Sequence, residues 1–261
     1  MSPKTFLNLG MFAANFPLRR WPKRFTQGYG RMFERLAAEV NVLTGVDSLH
    51  IERGERIVVR YEVEVQQLEG EVRMPETEEF DYLIVACPQV PEVVGAFLDL
   101  DERERALFQK VVYNPFYVST YTAPGTRHIA AVTFSMNDPQ VGHPFVVTRQ
   151  YPENDFISVY SRGDRANQIG RRQILDANRE FLATIADKDP TAHASLCDDW
   201  AYFPHVEIEH FDAGFYTELE AMQGHRRTYY TGGLLAFELV ETIAEYSHGL
   251  VGTHFIGKGT A

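Results

Sequence analysis

The stretch Arg227-Thr-Tyr-Tyr-Thr-Gly-Gly-Leu-Leu-Ala-Phe-Glu-Leu-Val-Glu241 decides how the rest of the chain is read. Thr228 to Thr231 are β-branched or aromatic and predict a short buried strand. Gly232 and Gly233 break it. Phe237, Val240, Ile243, Ala244, Ser247, Leu250 and Val251 then fall at three- and four-residue steps, the period of a helix. Glu238, Glu241, Glu245 and His248 fall mostly on its other faces. A strand, a glycine pair and a helix N-terminus together let bare backbone approach an anion. Glycine removes the side chains, and first-turn N–H groups carry the positive end of the helix dipole. The same pattern also describes a tight strand-to-helix turn that holds nothing, because two glycines are a weak motif.

The chain has 261 residues, 44% of them hydrophobic, with 18 Phe and 13 Tyr, enough for a substantial core in one large domain or two small ones. A formal net charge of −11 argues against a nucleic-acid partner, which needs a basic surface. Cys87 and Cys197 are too few for a disulfide framework and lack metal-ligand spacing. Cys87 follows an apolar run and reads as a small core residue. No apolar run approaches the ~20 residues of a membrane span, and the first residues lack the apolar core of a signal peptide. A soluble protein of a reducing compartment, the cytoplasm, is the expectation.

Met1 to Arg24 is apolar and basic in patches, and a helix is expected through Leu36, Ala37 and Val40. Gly28-Tyr-Gly-Arg-Met-Phe33 is not a dinucleotide fingerprint, because it lacks a glycine at position 33 and follows no clear strand. Asn41 to Val46 and Arg56 to Val65 read as strands, with Gln67 to Pro75 as a hairpin connection. Phe80 to Pro88 reads as a continuous apolar strand covered on both faces and stopped by proline. Asp101 to Val111 predicts a short charged helix. Four strand candidates follow at 116–121, 128–134, 144–149 and 156–161, separated by turn residues at 124–125 and 137–139, the pattern of an antiparallel sheet. A helix is expected at 167–185 and a further strand at 198–203.

Three blocks together resemble the flavin-containing amine oxidoreductase superfamily. The first is Asn41 to Val46, the strand at Arg56, and Phe80-Asp-Tyr-Leu-Ile-Val-Ala-Cys-Pro88. The second is Trp200-Ala-Tyr-Phe-Pro-His205 with Gly214-Phe-Tyr and Leu219-Glu-Ala-Met-Gln-Gly224. The third is Thr228 to Phe237 and its helix. The second and third are most similar to the branch that includes the polyenoic fatty acid isomerases. The resemblance implies an α/β (mixed α+β) fold: part of an FAD-binding Rossmann-like domain at 25–90 and 224–261, interleaved with a substrate domain at 1–24 and 91–223. That second domain would be a mixed, largely antiparallel sheet with helices. It also implies FAD as cofactor, held in part by Val46, Gly232, Gly233, Phe237 and Val240. The expected activity is that of a flavin-dependent oxidoreductase or isomerase. Hydride transfer from a small apolar or amine-bearing substrate to the flavin would start either reaction. The sequence departs from the family in one respect: it contains no strand–Gly-x-Gly-x-x-Gly–helix unit. A truncated chain, a partner chain supplying that unit, and a flavin-free binding or scaffold domain are the three expectations this leaves.

Trp200, Tyr202 and Phe203 form an aromatic run, which the resemblance implies would line a substrate cavity with Tyr29 as a further candidate; an ordinary core strand reads the same way. His205 is a candidate acid or base, because histidine's reference pKa of about 6.5 suits proton transfer near neutrality, although a histidine beside a proline is also a common structural residue. His205, Glu207 and Glu209 alternate as metal ligands on one strand face would, or as a solvated strand edge. No Gly-x-Ser-x-Gly, Cys/His pair or Walker loop offers a hydrolase or kinase alternative.

Overall fold

The structure, a computed structural model, describes residues 6–8, 26–67, 70–123, 132–135, 141–149, 154–166, 169–185 and 193–256. The opening stretch up to Arg24 (apart from 6–8) and the turns expected at 124–125 and 137–139 lie outside these residues. In chain order the elements begin with β1 (Phe6–Asn8), α1 (Gly28–Ala37), β2 (Asp47–Arg53), β3 (Ile57–Gln67), β4 (Gly70–Phe80) and β5 (Leu83–Val85). Then come α2 (Pro91–Val94), α3 (Glu102–Phe108), β6 (Val111–Thr122), β7 (Val132–Ser135), β8 (Pro144–Thr148) and β9 (Phe156–Arg162). The remainder is α4 (Arg171–Ile185), β10 (His193–Val206), α5 (Ile208–Asp212), α6 (Phe215–Glu220), β11 (Thr228–Tyr230), α7 (Gly233–Ala236) and α8 (Val240–Val251). They fall into two compact units, one within Met1–Lys23 and Tyr113–Tyr202, the other within Arg24–Val112 and Phe203–Ala261.

The first unit is built on a six-stranded sheet of order β1-β7-β8-β9-β6-β10. The pairs β1–β7, β7–β8, β8–β9 and β9–β6 are antiparallel, as the short links predict. Alternation along β9 buries Ile157, Val159 and Ser161 and turns the residues between them outward. α4 packs its Leu182 into the cluster of Tyr121, Ala123, Val147, Ile157 and Val159. Asn178, one turn earlier, accepts from Ser161 Oγ at 2.9 Å and donates to Ser119 Oγ at 3.1 Å. The Asn178 amide and the two serine hydroxyls thereby partner one another. Tyr202, near the end of this unit, stacks on Phe116 with ring centroids 4.6 Å apart.

The second unit holds the antiparallel meander β2-β3-β4 and a two-stranded parallel sheet of β5 and β11. Here the structure corrects four sequence expectations. Residues 41–44 have no regular structure, and β2 starts only at Asp47, because Gly45 turns the chain at φ 67°. The connection expected at 67–75 is mostly strand: β4 pairs from Gly70 opposite Gln67 to Phe80 opposite Ile57. Pro75 is accommodated because β4 is the edge of its sheet, where a missing N–H breaks no central ladder. The apolar run at 80–88 gives β5 only three residues, since Phe80 ends β4. Ile84 is 44% exposed, so that strand is not covered on both faces. Lastly, β10 ends at Val206 and α5 begins at Ile208, so His205, Glu207 and Glu209 do not share a strand face.

A buried ionic cluster joins the pieces of the second unit. Arg53, at the end of β2, donates to both oxygens of Glu104 at 2.5 and 2.7 Å and through Nε to Asp99 at 2.8 Å. Tyr230 Oη donates to Glu104 at 2.7 Å. Arg226 donates to the Asp99 carbonyl at 2.6 Å and to its carboxylate. Glu104 also completes a capping box with Asp101 at the start of α3, and His225 lies 2.6 Å from Asp101.

Candidate functional site

β11 is fully buried, and its Thr228, Tyr229 and Tyr230 pair in parallel with Leu83, Ile84 and Val85 of β5. Two glutamine amides hold the end of this sheet. Gln223 donates to the Tyr230 carbonyl and accepts from its N–H, both at 2.8 Å, so a side chain seals the β11 edge as another strand would. Gln89, buried in the loop after β5, donates to the Thr231 carbonyl at 2.9 Å. Thr231 Oγ1 meets Ser247 Oγ at 2.7 Å, which ties the turn to α8.

The glycine pair follows at once. Gly232 has φ 122° and ψ −167°, a region that is essentially glycine's alone. Gly233 is bare for a different reason: a Cβ there would stand 2.8 Å from Cγ of Glu238 and 3.3 Å from Cγ of Pro204. The helix expected to run on from the pair is instead two, α7 and α8, broken at Phe237 with φ 64° and ψ 160°. This break carries Phe237 and Val240, about half exposed, to the surface beside the turn and folds Glu238 back over Gly233.

Glu238 Oε2 accepts the Phe203 N–H at 2.6 Å. The Phe203 and Phe237 rings meet edge to face at 5.5 Å, and Phe203 stacks on His205 at 5.2 Å. His205 Nδ1 lies 2.7 Å from the Phe203 carbonyl oxygen. A carbonyl only accepts, so Nδ1 carries the hydrogen, and Nε2 of the neutral ring is the atom with a lone pair for chemistry. Burial pushes the Glu238 carboxyl above the ordinary glutamate value, and the Phe203 N–H offsets part of that rise.

Of the residues singled out from the sequence, the structure brings Phe203, His205, Gly233 and Phe237 together, with Gly232 adjoining. Val240 starts α8, and Val46 is half-buried just before β2. Tyr29 is exposed on α1. Trp200, 58% exposed, and Tyr202 belong to the first unit. Glu238, Gln223 and Gln89 were missed. Glu238 sits at a position that helical periodicity assigns to solvent, and a glutamine that replaces a strand edge leaves no local pattern. Cys87 is half-buried, and burial raises its thiol pKa, which keeps it from thiolate chemistry. Among the described residues no group of three or more His, Cys, Asp or Glu is arranged to hold a metal, and no helix is long and apolar enough to cross a membrane.

No family model matches the chain. An FAD-dependent oxidoreductase, dpchF, from Colletotrichum higginsianum is 28% identical over 180 residues, covering 65% of this chain and 37% of that protein. A CLA-producing fatty acid isomerase from P. acnes superposes with a TM-score of 0.72 at 22% identity, over 87% of this chain and 52% of its own. Cyclohexylamine oxidase from Brevibacterium oxydans superposes with a TM-score of 0.57 at 13% identity, over 87% and 53%. The chain thus spans about a third to a half of the proteins it is similar to. With these two solved enzymes the chain shares the mixed α/β fold described above.

Proposed function

We propose that this chain is part of a flavin-dependent oxidoreductase or isomerase acting on a small apolar or amine-bearing molecule, with FAD lying against the Gly232 turn. The single observation that carries this reading is the composition of the turn. A glycine-only backbone at the end of a parallel strand pair adjoins exposed Phe237 and Val240 and the Phe203–His205 stack. Backbone and apolar surface suit the ring and ribityl side of a flavin. They do not suit its phosphates: Arg53 and Arg226, the buried and half-buried arginines of this unit, are committed to Glu104 and Asp99. Bound FAD would supply a two-electron acceptor for a hydride taken from a substrate carbon. The protein's own part is to present flat apolar surface, to exclude water with Phe203 and Phe237, and to offer His205 Nε2 as a proton acceptor.

A dinucleotide-binding unit from a further segment or a partner chain completes the phosphate side in this proposal. The open side of β5 supports it. Among the described residues β5 pairs with β11 alone, its Tyr82 and Ile84 flank is 49% and 44% exposed, and parallel sheets are ordinarily covered on both faces. A flavin-free binding module is the competing reading, and the packing of Glu238 over Gly233 favours it, because it accounts for that glycine without a ligand. The test is to add FAD to the purified chain, desalt, and record the visible spectrum with and without an added Gly-x-Gly-x-x-Gly unit. Retained flavin absorbance in either sample upholds the proposal. Absence from both overturns it in favour of the flavin-free module.

A further inference from the structure

Two phenylalanines in the second unit have backbones that phenylalanine rarely adopts. Phe203 has φ 58° and Phe237 has φ 64°. For an L-residue with a bulky side chain, positive φ persists only where the surroundings over-determine it, and such residues gather at functional sites. These two are 34 positions apart in sequence, yet their rings touch at 5.5 Å. Side chains from either side fix the Phe203 peptide groups. His205 Nδ1–H donates to its carbonyl at 2.7 Å, and Glu238 accepts its N–H at 2.6 Å. Glu238 directly follows Phe237, and its Cγ lies 2.8 Å from where a Cβ on Gly233 would stand. One glutamate side chain therefore lies over Gly233 and bonds one strained phenylalanine, and its residue adjoins the other in sequence.

We propose that Glu238 is the positioning residue of this turn: its carboxylate holds Phe203 in the left-handed conformation and so sets the two phenylalanine rings beside Gly232 and Gly233. The proposal deepens the flavin reading by naming what shapes the apolar wall of that site, and its stability test stands without a ligand. If the carboxylate acts by accepting one N–H, an amide oxygen replaces it and a methyl does not. If it acts by enforcing positive φ at residue 203, glycine there makes it dispensable, because glycine adopts that conformation without steric cost.

The experiment compares wild type, E238Q, E238A, F203G and F203G/E238A by thermal unfolding and by quenching of FAD fluorescence, with the dinucleotide-binding unit added. E238A is expected to lower the unfolding midpoint by about 2–4 °C, E238Q to keep it or raise it, and the E238A effect to vanish in the F203G background. FAD affinity is expected to fall about tenfold in E238A, equivalent to ~1.4 kcal/mol, and to be restored in E238Q. An equal loss from E238A in both backgrounds, or an E238Q as impaired as E238A, overturns the proposal. If wild type binds no FAD, the flavin reading fails, while the double-variant cycle still decides the role of Glu238.

Discussion

Glu104 and Glu238 lie in the same unit of the molecule and receive opposite treatment. Glu104 is fully buried and accepts from Arg53, Tyr230 and the Asp101 backbone. Burial disfavours its ionisation, yet the Arg53, Asp101 and Tyr230 bonds outweigh burial and hold the carboxyl below its ordinary value. Glu238 is only half-buried and, among the described residues, accepts one backbone N–H, so burial prevails and its carboxyl is pushed up. The first carboxylate joins β2, α3 and β11 with a cation. Among the described residues the second meets no cation and accepts the N–H of Phe203, whose φ is positive, beside the exposed Phe237 and Val240.

The comparison is broken most severely at Arg53. Arg53→Met leaves Glu104 buried and without its cation, and should cost about 3–5 kcal/mol, read as a lower midpoint in urea unfolding. Gln223→Ala comes next. It strips the amide that seals β11 and leaves Tyr230 N–H and C=O unpartnered, at about 1–3 kcal/mol for a buried unsatisfied group. Loss of hydrogen-exchange protection at the Tyr230 amide would report it directly. The two glycines should then separate. Gly232→Ala forces φ 122° on a side chain, at about 1–3 kcal/mol. Gly233→Ala meets only the flexible Glu238 side chain at 2.8 Å and should cost less, with much of the cost removed in an E238A background.

The smallest effect, and the one that sharpens the comparison most, is in pH. Glu104, Asp99 and Asp101 all have lowered values in the folded state. Their contribution is present above the unfolded values of 3.8 and 4.5 and is lost as pH falls through the lower folded ones. Glu238 is raised, so its contribution runs the other way: fully present below 4.5 and lost as pH rises through the folded value. Measured from pH 4 to 7, the stability of E238Q relative to wild type should therefore rise with pH. The stability of E104Q relative to wild type should fall over the same range. Parallel profiles for the two variants would remove the distinction drawn between these carboxylates.

How much of this was legible in the chain depended on distance along it. The strands β6 to β9 follow period-two alternation and short links, and β11 with its glycine pair follows composition, all within a few residues. The same local logic misplaced β2 and overextended the strand at 80–88. Apolar content at 41–46 does not register that Gly45 turns the chain, nor does an apolar run reveal that Phe80 is claimed by pairing with Ile57. The helix after the glycine pair was read as continuous because residues at three- and four-step spacing fit one period. The fold broke it at Phe237 to bring Glu238 back to Phe203, which lies 35 positions away.

By itself, then, the sequence determined the class of fold, the order of most strands, the glycine turn and the ordered blocks on which its resemblance to flavin enzymes rests. Each of these is written in neighbouring residues, through side-chain period, backbone freedom and turn chemistry. Only the tertiary structure decided which charges meet. Arg53 reaches Tyr230 across 177 positions and Glu104 across 51, and no periodicity encodes a contact of that range. The pairing determines whether a buried carboxylate is an anchor or a strained part of a site. Desolvation acts on both glutamates, and only the partners that the fold supplies settle whether ionisation is favoured or opposed.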